Sequence, residues 1–167
     1  LVDTVHYRKG PYFAEEGNFA AAGAARISYV RDSGAPALGL TVGEDNYYRL
    51  FASASPELAG GTLLMGLDWS QTDGPWTLPE DFQKTSGVIK FSRSTTEGGF
   101  SVTGMGYDGS WDSTDQVPQR AVDAGLIPRF GHVDDTTGGD SHRYSLSLDA
   151  WSRHDGRGWT ALAYAID

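Results

Sequence analysis

No cysteine occurs among the 167 residues, which removes a disulfide framework, a thiolate metal site and a cysteine nucleophile together. Basic side chains are scarce: 13 Lys and Arg stand against 22 Asp and Glu, leaving a formal net charge of -9. Phosphate-backbone recognition relies on clustered cations, so this balance argues against nucleic acid as a partner. Nowhere does an apolar run reach the ~20 residues that a membrane-crossing helix needs. Organised catalytic signatures are missing too. There is no G-x-S-x-G elbow, and His6, His132, His142 and His154 lack the i, i+4 pairing of a helical zinc site. The sequence is read as that of a non-enzyme, with no cofactor and no resident metal.

What the chain does have is alternation. From Arg143, Tyr144, Leu146, Leu148 and Ala150 fall on one face, with Ser145, Ser147 and Asp149 on the other. After a turn at Asp155 to Gly158, Thr160, Leu162, Tyr164 and Ile166 alternate with Ala161, Ala163 and Ala165, which predicts a hairpin. Leu63, Met65, Leu67 and Trp69 alternate with Leu64, Gly66, Asp68 and Ser70, and Ile89 and Phe91 alternate with Val88, Lys90 and Ser92. Weaker strands are expected at 38 to 42, at 47 to 55, and at 100 to 111, where Val102 and Met105 belong to opposite faces. That makes about seven strands, each near the length of about 10 residues expected of a tilted spanning strand.

The connectors alternate as well. Tight turns are expected at Thr95 to Gly99 and Asp155 to Gly158, and long segments at Trp69 to Phe82 and at 108 to 142, the longest and most acidic. Short turns on one side and long loops on the other, joining strands with one apolar face, are the sequence pattern of a transmembrane β-barrel. The expected fold is therefore all-β: part of a transmembrane antiparallel up-and-down barrel, forming an open curved sheet over 34 to 167. The chain begins at Leu1 without an initiator Met and stops at Asp167 within a strand pattern, and is read as an internal part of a longer protein.

The first 33 residues differ in character. The segment VHYRKGPYFAEEGNFAAAGAARISYV resembles the closing part of the plug domain of TonB-dependent outer-membrane receptors, where an Arg-Gly-Pro type turn and a small-residue segment lead into a last plug strand. DGPW at 73 to 76 and GSWDSTDQVPQRAVDAGLIPRF at 109 to 130 resemble barrel and loop sequences of the same family. The strand GAARISYVRD departs from the family pattern, lacking consecutive glycines and an Asn-containing apolar run, so no ligand contact is carried onto it. The resemblance implies that 1 to 33 closes a plug and 34 to 167 opens a barrel of about 22 strands. It also implies placement in the outer membrane of a Gram-negative bacterium and high-affinity uptake of a scarce ligand such as a ferric siderophore, another metal chelate or a carbohydrate. Lipid would be one partner, and the TonB energy-coupling complex another, contacted through the part of the protein upstream of Leu1.

Aromatic residues near strand ends fit the interfacial girdles of barrels. Trp76 and Trp111, embedded in connectors with Asp112 and Asp115, are the candidate ligand contacts, because a loop indole can stack on a sugar or an aromatic chelator while carboxylates bind its polar groups. The acidic connector, with Asp108, Asp112, Asp115, Asp123, Asp134, Asp135 and Asp140 beside His132 and His142, lacks the EF-hand ligand spacing and reads as a solvated loop. Two other readings remain. One is a soluble β-sandwich carbohydrate-binding module; the other is a complete small outer-membrane barrel of about eight strands.

Overall fold

The computed structural model of the chain describes all residues except 17–20, 113–115 and 156, together with the side chain of Glu15. Two antiparallel sheets account for the strands. The smaller pairs β1 (Val2–Lys9) with β2 (Gly23–Tyr29). Their hairpin closes past a short 3-10 turn at Ala14–Glu16, where Arg8 meets Glu16 at 3.2 Å and lies 4.8 Å above the Phe13 ring. Gly23 is needed at this point: a Cβ there would lie 2.4 Å from the Arg8 carbonyl oxygen.

The larger sheet holds β3 (Ala37–Val42), β4 (Tyr48–Ala54), a two-residue β5 (Glu57–Leu58), β6 (Gly61–Thr72), β7 (Phe82–Ser94), β8 (Gly98–Asp112), β9 (Gly138–His154) and β10 (Arg157–Ile166). Its order is β10-β9-β8-β7-β6-β4-β3, with β5 beside β6, and every pair is antiparallel. The sheet is open, with β3 and β10 at its two edges. Strands β6 to β9 run 12 to 17 residues, well beyond the ~5–6 typical of globular sheets. At one end the connectors are 43–47, 73–81 and 113–137, and at the other they are 55–60, 95–97 and 155–156. The first of these turns through Asp45 and Asn46, both at φ 54°, with Tyr47 N–H donating to the Glu44 carbonyl at 3.0 Å. Two successive left-handed residues give the turn whose twist matches the strands it joins.

Pairing extends further than apolar alternation indicates. The stretch 108 to 142, expected as one loop, is strand at both ends: Asp108 pairs with His142, Ser110 with Asp140 and Asp112 with Gly138. Gly138 to His142 hold no apolar residue and so show no period-2 signal, while the backbone ladder, which needs none, continues. Only 113–137 is left as connector, and it carries a short helix α1 (Gln119–Asp123).

Register sorts the side chains into two faces. One collects Leu38, Leu40, Leu50, Ala52, Leu63, Met65, Leu67, Trp69, Ile89, Phe91, Val102, Leu146 and Leu148, ending in Ala161, Ala163 and Ala165 on β10. The other collects Arg49, Ser53, Asp68, Ser70, Lys84, Lys90, Ser92, Ser101, Thr103, Ser145, Ser147 and Asp149. Leu162, Tyr164 and Ile166 stand on this second, polar face, opposite Asp149, Ser147 and Ser145. The β1–β2 hairpin lies over the polar face. Leu1 occupies the space above Gly66, Lys90 Nζ donates to the Tyr29 carbonyl at 2.7 Å, and Arg31 donates to Ser94 Oγ at 3.0 Å.

Burial follows the cover. Leu64 is the one buried hydrophobic residue among those described, and Ser53, Ser70, Ser92 and Thr103 are the buried polar ones; all five belong to the polar face. Across the sheet the apolar face is bare, with Leu146 56% and Leu148 44% exposed, Met65 38% and Ile89 52%. A water-soluble protein buries its apolar side chains first. Here the distribution is inverted.

Candidate functional site

The long connectors form a linked cluster at one end of the sheet. Asn46 Nδ2 donates to Asp73 Oδ2 at 2.5 Å, and the Asp73 N–H donates to the Asp45 carbonyl at 2.8 Å, joining the first turn to 73–81. The second connector is joined to the third by Thr77 N–H to the Phe130 carbonyl at 2.8 Å, and to the end of β8 by Asp112 N–H to the Glu80 carbonyl at 2.6 Å. Of the residues singled out from the sequence, Trp76 and Asp112 therefore meet the same short segment, 76–80. Trp76 Nε1 donates to Glu80 Oε2 at 3.0 Å, and its ring stands edge-on to Phe130 at 5.9 Å between centroids. Gly74 lies against the indole, where a Cβ would be 2.6 Å from Trp76 Cδ1. Its one donor is thus engaged within its own connector, by Glu80, and its π-system by Phe130 of the third connector.

Trp111 sits at the end of β8, paired with Gly139, whose missing Cβ makes room for the indole at 3.0 Å. Asp112 is exposed at the last position of the strand, and Asp115 lies outside the described residues. Among the described residues no group of His, Asp and Glu is arranged to hold a metal ion. Asp134 turns inward on its own loop: Oδ1 accepts from the Thr136 hydroxyl at 2.6 Å and its N–H at 2.8 Å, which holds the carboxyl below the usual carboxylate range. His132 Nδ1 and Thr137 Oγ1 are enclosed without a hydrogen-bond partner among the described residues.

A second constellation, absent from the sequence-derived candidates, occupies the polar face. Asp68 on β6 accepts from Arg49 on β4, at 2.8 Å from Nε and also from a terminal guanidinium nitrogen, and its other oxygen lies 3.4 Å from Lys84 Nζ on β7. The three charges span three adjacent strands. Each stands at a polar position of the alternation, so the signal was present in the sequence: a charge that recurs on the side opposite the apolar stripe. What sequence could not give is the lateral register that brings Arg49 and Lys84 to one carboxylate.

At the end with the short turns, Asp32 ties the exit of the hairpin to the sheet. Its Oδ1 accepts from Ser55 Oγ at 2.5 Å and from the Gly34 N–H at 2.8 Å, and these two bonds hold the carboxyl below its ordinary range. Ser55 Oγ also accepts from the Ser33 N–H at 3.0 Å. On β2, burial between the hairpin and the sheet pushes the Tyr29 hydroxyl up.

Between the hairpin and the polar face lie two cavities. One, of about 330 Å³, is floored by Gly66, Val88 and Met105 beneath Leu1 and Tyr29. The other, of about 340 Å³, is more polar and contains Arg26, Arg31, Lys90 and Asp149. No helix among the described residues is long and apolar enough to cross a membrane, a fact that leaves strand crossing open. Compared with protein-family models, with curated proteins and with solved structures, the chain matches none.

Proposed function

We propose that this chain is the end of a plug and the first strands of the barrel wall in an outer-membrane receptor of the TonB-dependent type, taking up a scarce ligand such as a ferric siderophore. One observation carries the reading: the protein's own covering layer lies on the polar face of the sheet, and the apolar face has no cover. A soluble sandwich places its second layer on the apolar face, because that burial is what stabilises it. A barrel does the opposite, turning apolar side chains to lipid and keeping polar ones around whatever fills the lumen. Strands of 12 to 17 residues exceed the ~9–11 needed to cross the hydrocarbon and leave length to project beyond it. Two free edges are what one section of a wider wall presents, whereas a complete small barrel would pair β3 with β10.

In this reading the bare face contacts outer-membrane lipid, the linked connectors 43–47, 73–81 and 113–137 lie outside the cell, and the short turns face the periplasm. Ligand meets the loops, around Trp111, Asp112 and Asp115, and the plug. Tight capture must later be undone, so release requires an energy input that shifts the plug between states, supplied by the TonB complex of the inner membrane. The test is fractionation of Gram-negative cells making the full-length protein. The expected result is an outer-membrane band whose gel mobility changes on boiling and whose ligand uptake stops when TonB is deleted. A band in the soluble fraction, or uptake indifferent to TonB, contradicts the proposal.

A further inference from the structure

The more polar cavity between the hairpin and the sheet has a charge balance opposite to that of the chain. Three cations line it, Arg26 and Arg31 from the hairpin side and Lys90 from β7, against one carboxylate, Asp149. The molecule as a whole carries -9. Lys90 spends one donor on the Tyr29 carbonyl at 2.7 Å, and Arg31 spends one nitrogen on Ser94 at 3.0 Å; an ammonium has three donors and a guanidinium five, so most remain. The backbone of Arg26 pairs with His6 in the hairpin ladder, and its side chain makes no hydrogen bond or ion pair with any described residue. Asp149 and, on β1, Asp3 are the acids acting on Lys90, and Arg31 opposes them. The hydroxyls of Ser101, Thr103 and Ser147 complete the wall with neutral donors.

We infer that this cavity is a binding site for a small oxyanion, a carboxylate or phosphate compound that fits about 340 Å³, held between Arg26, Arg31 and Lys90. Guanidinium and ammonium groups around a half-enclosed space bind such groups through charge-assisted hydrogen bonds, with the two arginines suited to their planar or tetrahedral oxygens. The inference uses the seating of the hairpin on the sheet and is independent of which solvent bathes the other face. An anion entering here bridges hairpin and wall, so it strengthens their contact.

The test is calorimetric titration of the full-length protein in detergent with citrate, with inorganic phosphate and with glucose as a neutral control. Saturable binding of at least one of the two anions, weakened by salt and absent for glucose, is expected. Arg26→Gln removes a side chain with no partner to lose, so it leaves the melting temperature of the anion-free protein unchanged while weakening binding about tenfold or more. Asp149→Asn, which removes the opposing charge, tightens it. No saturable binding of either anion, or equal affinity in Arg26→Gln and the parent, overturns the inference. Because the membrane reading is tested by fractionation and this one by titration, either can fail while the other stands.

Discussion

Gly66 leaves the space that the Leu1 side chain fills at the start of the hairpin. A Cβ there would lie 2.1 Å from Leu1 Cδ1 and 3.3 Å from Val88 Cγ1, so Gly66→Val must displace one or the other. Overpacking of this kind typically costs about 1–3 kcal/mol. The expected readout is faster acetylation of Lys90, whose Nζ is released from the Tyr29 carbonyl, followed by mass spectrometry; an unchanged rate would mean that the hairpin is seated by other contacts. Asp32 gives a pH signature at the same scale. Its folded-state pKa lies below the unfolded one because of Ser55 and Gly34. The stability it contributes is therefore complete above the unfolded value and lost as pH falls through the folded value. Thermal melts of the full-length protein are expected to fall in that acidic window, by less in Asp32→Asn than in the parent.

At the scale of elements, the strands were legible wherever one face stayed apolar. Alternation around Leu146 and Leu148 located β9, and Leu63 to Trp69 located β6. The start of β9 was not legible, because Gly138 to His142 offer no apolar alternation while their ladder with Asp108 to Asp112 of β8 continues through backbone bonds. The two-residue β5 gives no periodicity at all. On β10 the sequence supplied two candidate faces, one of alanines and one of Leu162, Tyr164 and Ile166, and only register with β9 assigns the alanines to the bare side. Of the candidate site, Trp76 and Asp112 share a neighbourhood that sequence distance hides: the second connector meets the third through Phe130 and the end of β8 through Glu80. Trp76→Ala should uncouple them, with a loss on the order of 0.5–1.5 kcal/mol from the aromatic pair beyond its buried area. Hydrogen exchange at the Thr77 and Asp112 amides should speed up, while Trp76→Phe retains part of the protection. If exchange is unaltered in both variants, the connectors are held together without the indole.

For the molecule as a whole, the decisive property is which face is covered. Among the described residues six are buried on the polar side, four of them Ser or Thr, with one Gly and one Leu, too little apolar burial to stabilise a water-soluble sheet of this size. The bare side offers a continuous surface of Leu, Met, Ile, Phe and Ala, far beyond the scattered apolar exposure of ordinary soluble proteins. On the proposed reading, lipid as the solvent of that face removes the conflict, and the hairpin over Asp68, Lys90 and Thr103 would lie in a lumen. The absence of cysteine allows a direct test by single substitutions in the full-length protein, in membranes, at four consecutive positions of β9: Ser145, Leu146, Ser147 and Leu148. Labelled with a spin probe, Leu146→Cys and Leu148→Cys are predicted to collide freely with oxygen dissolved in lipid and hardly with a water-soluble nickel chelate, and Ser145→Cys and Ser147→Cys to lose that preference for oxygen. A pattern without period 2, or leucine positions relaxed chiefly by the aqueous chelate, would contradict a lipid-facing wall.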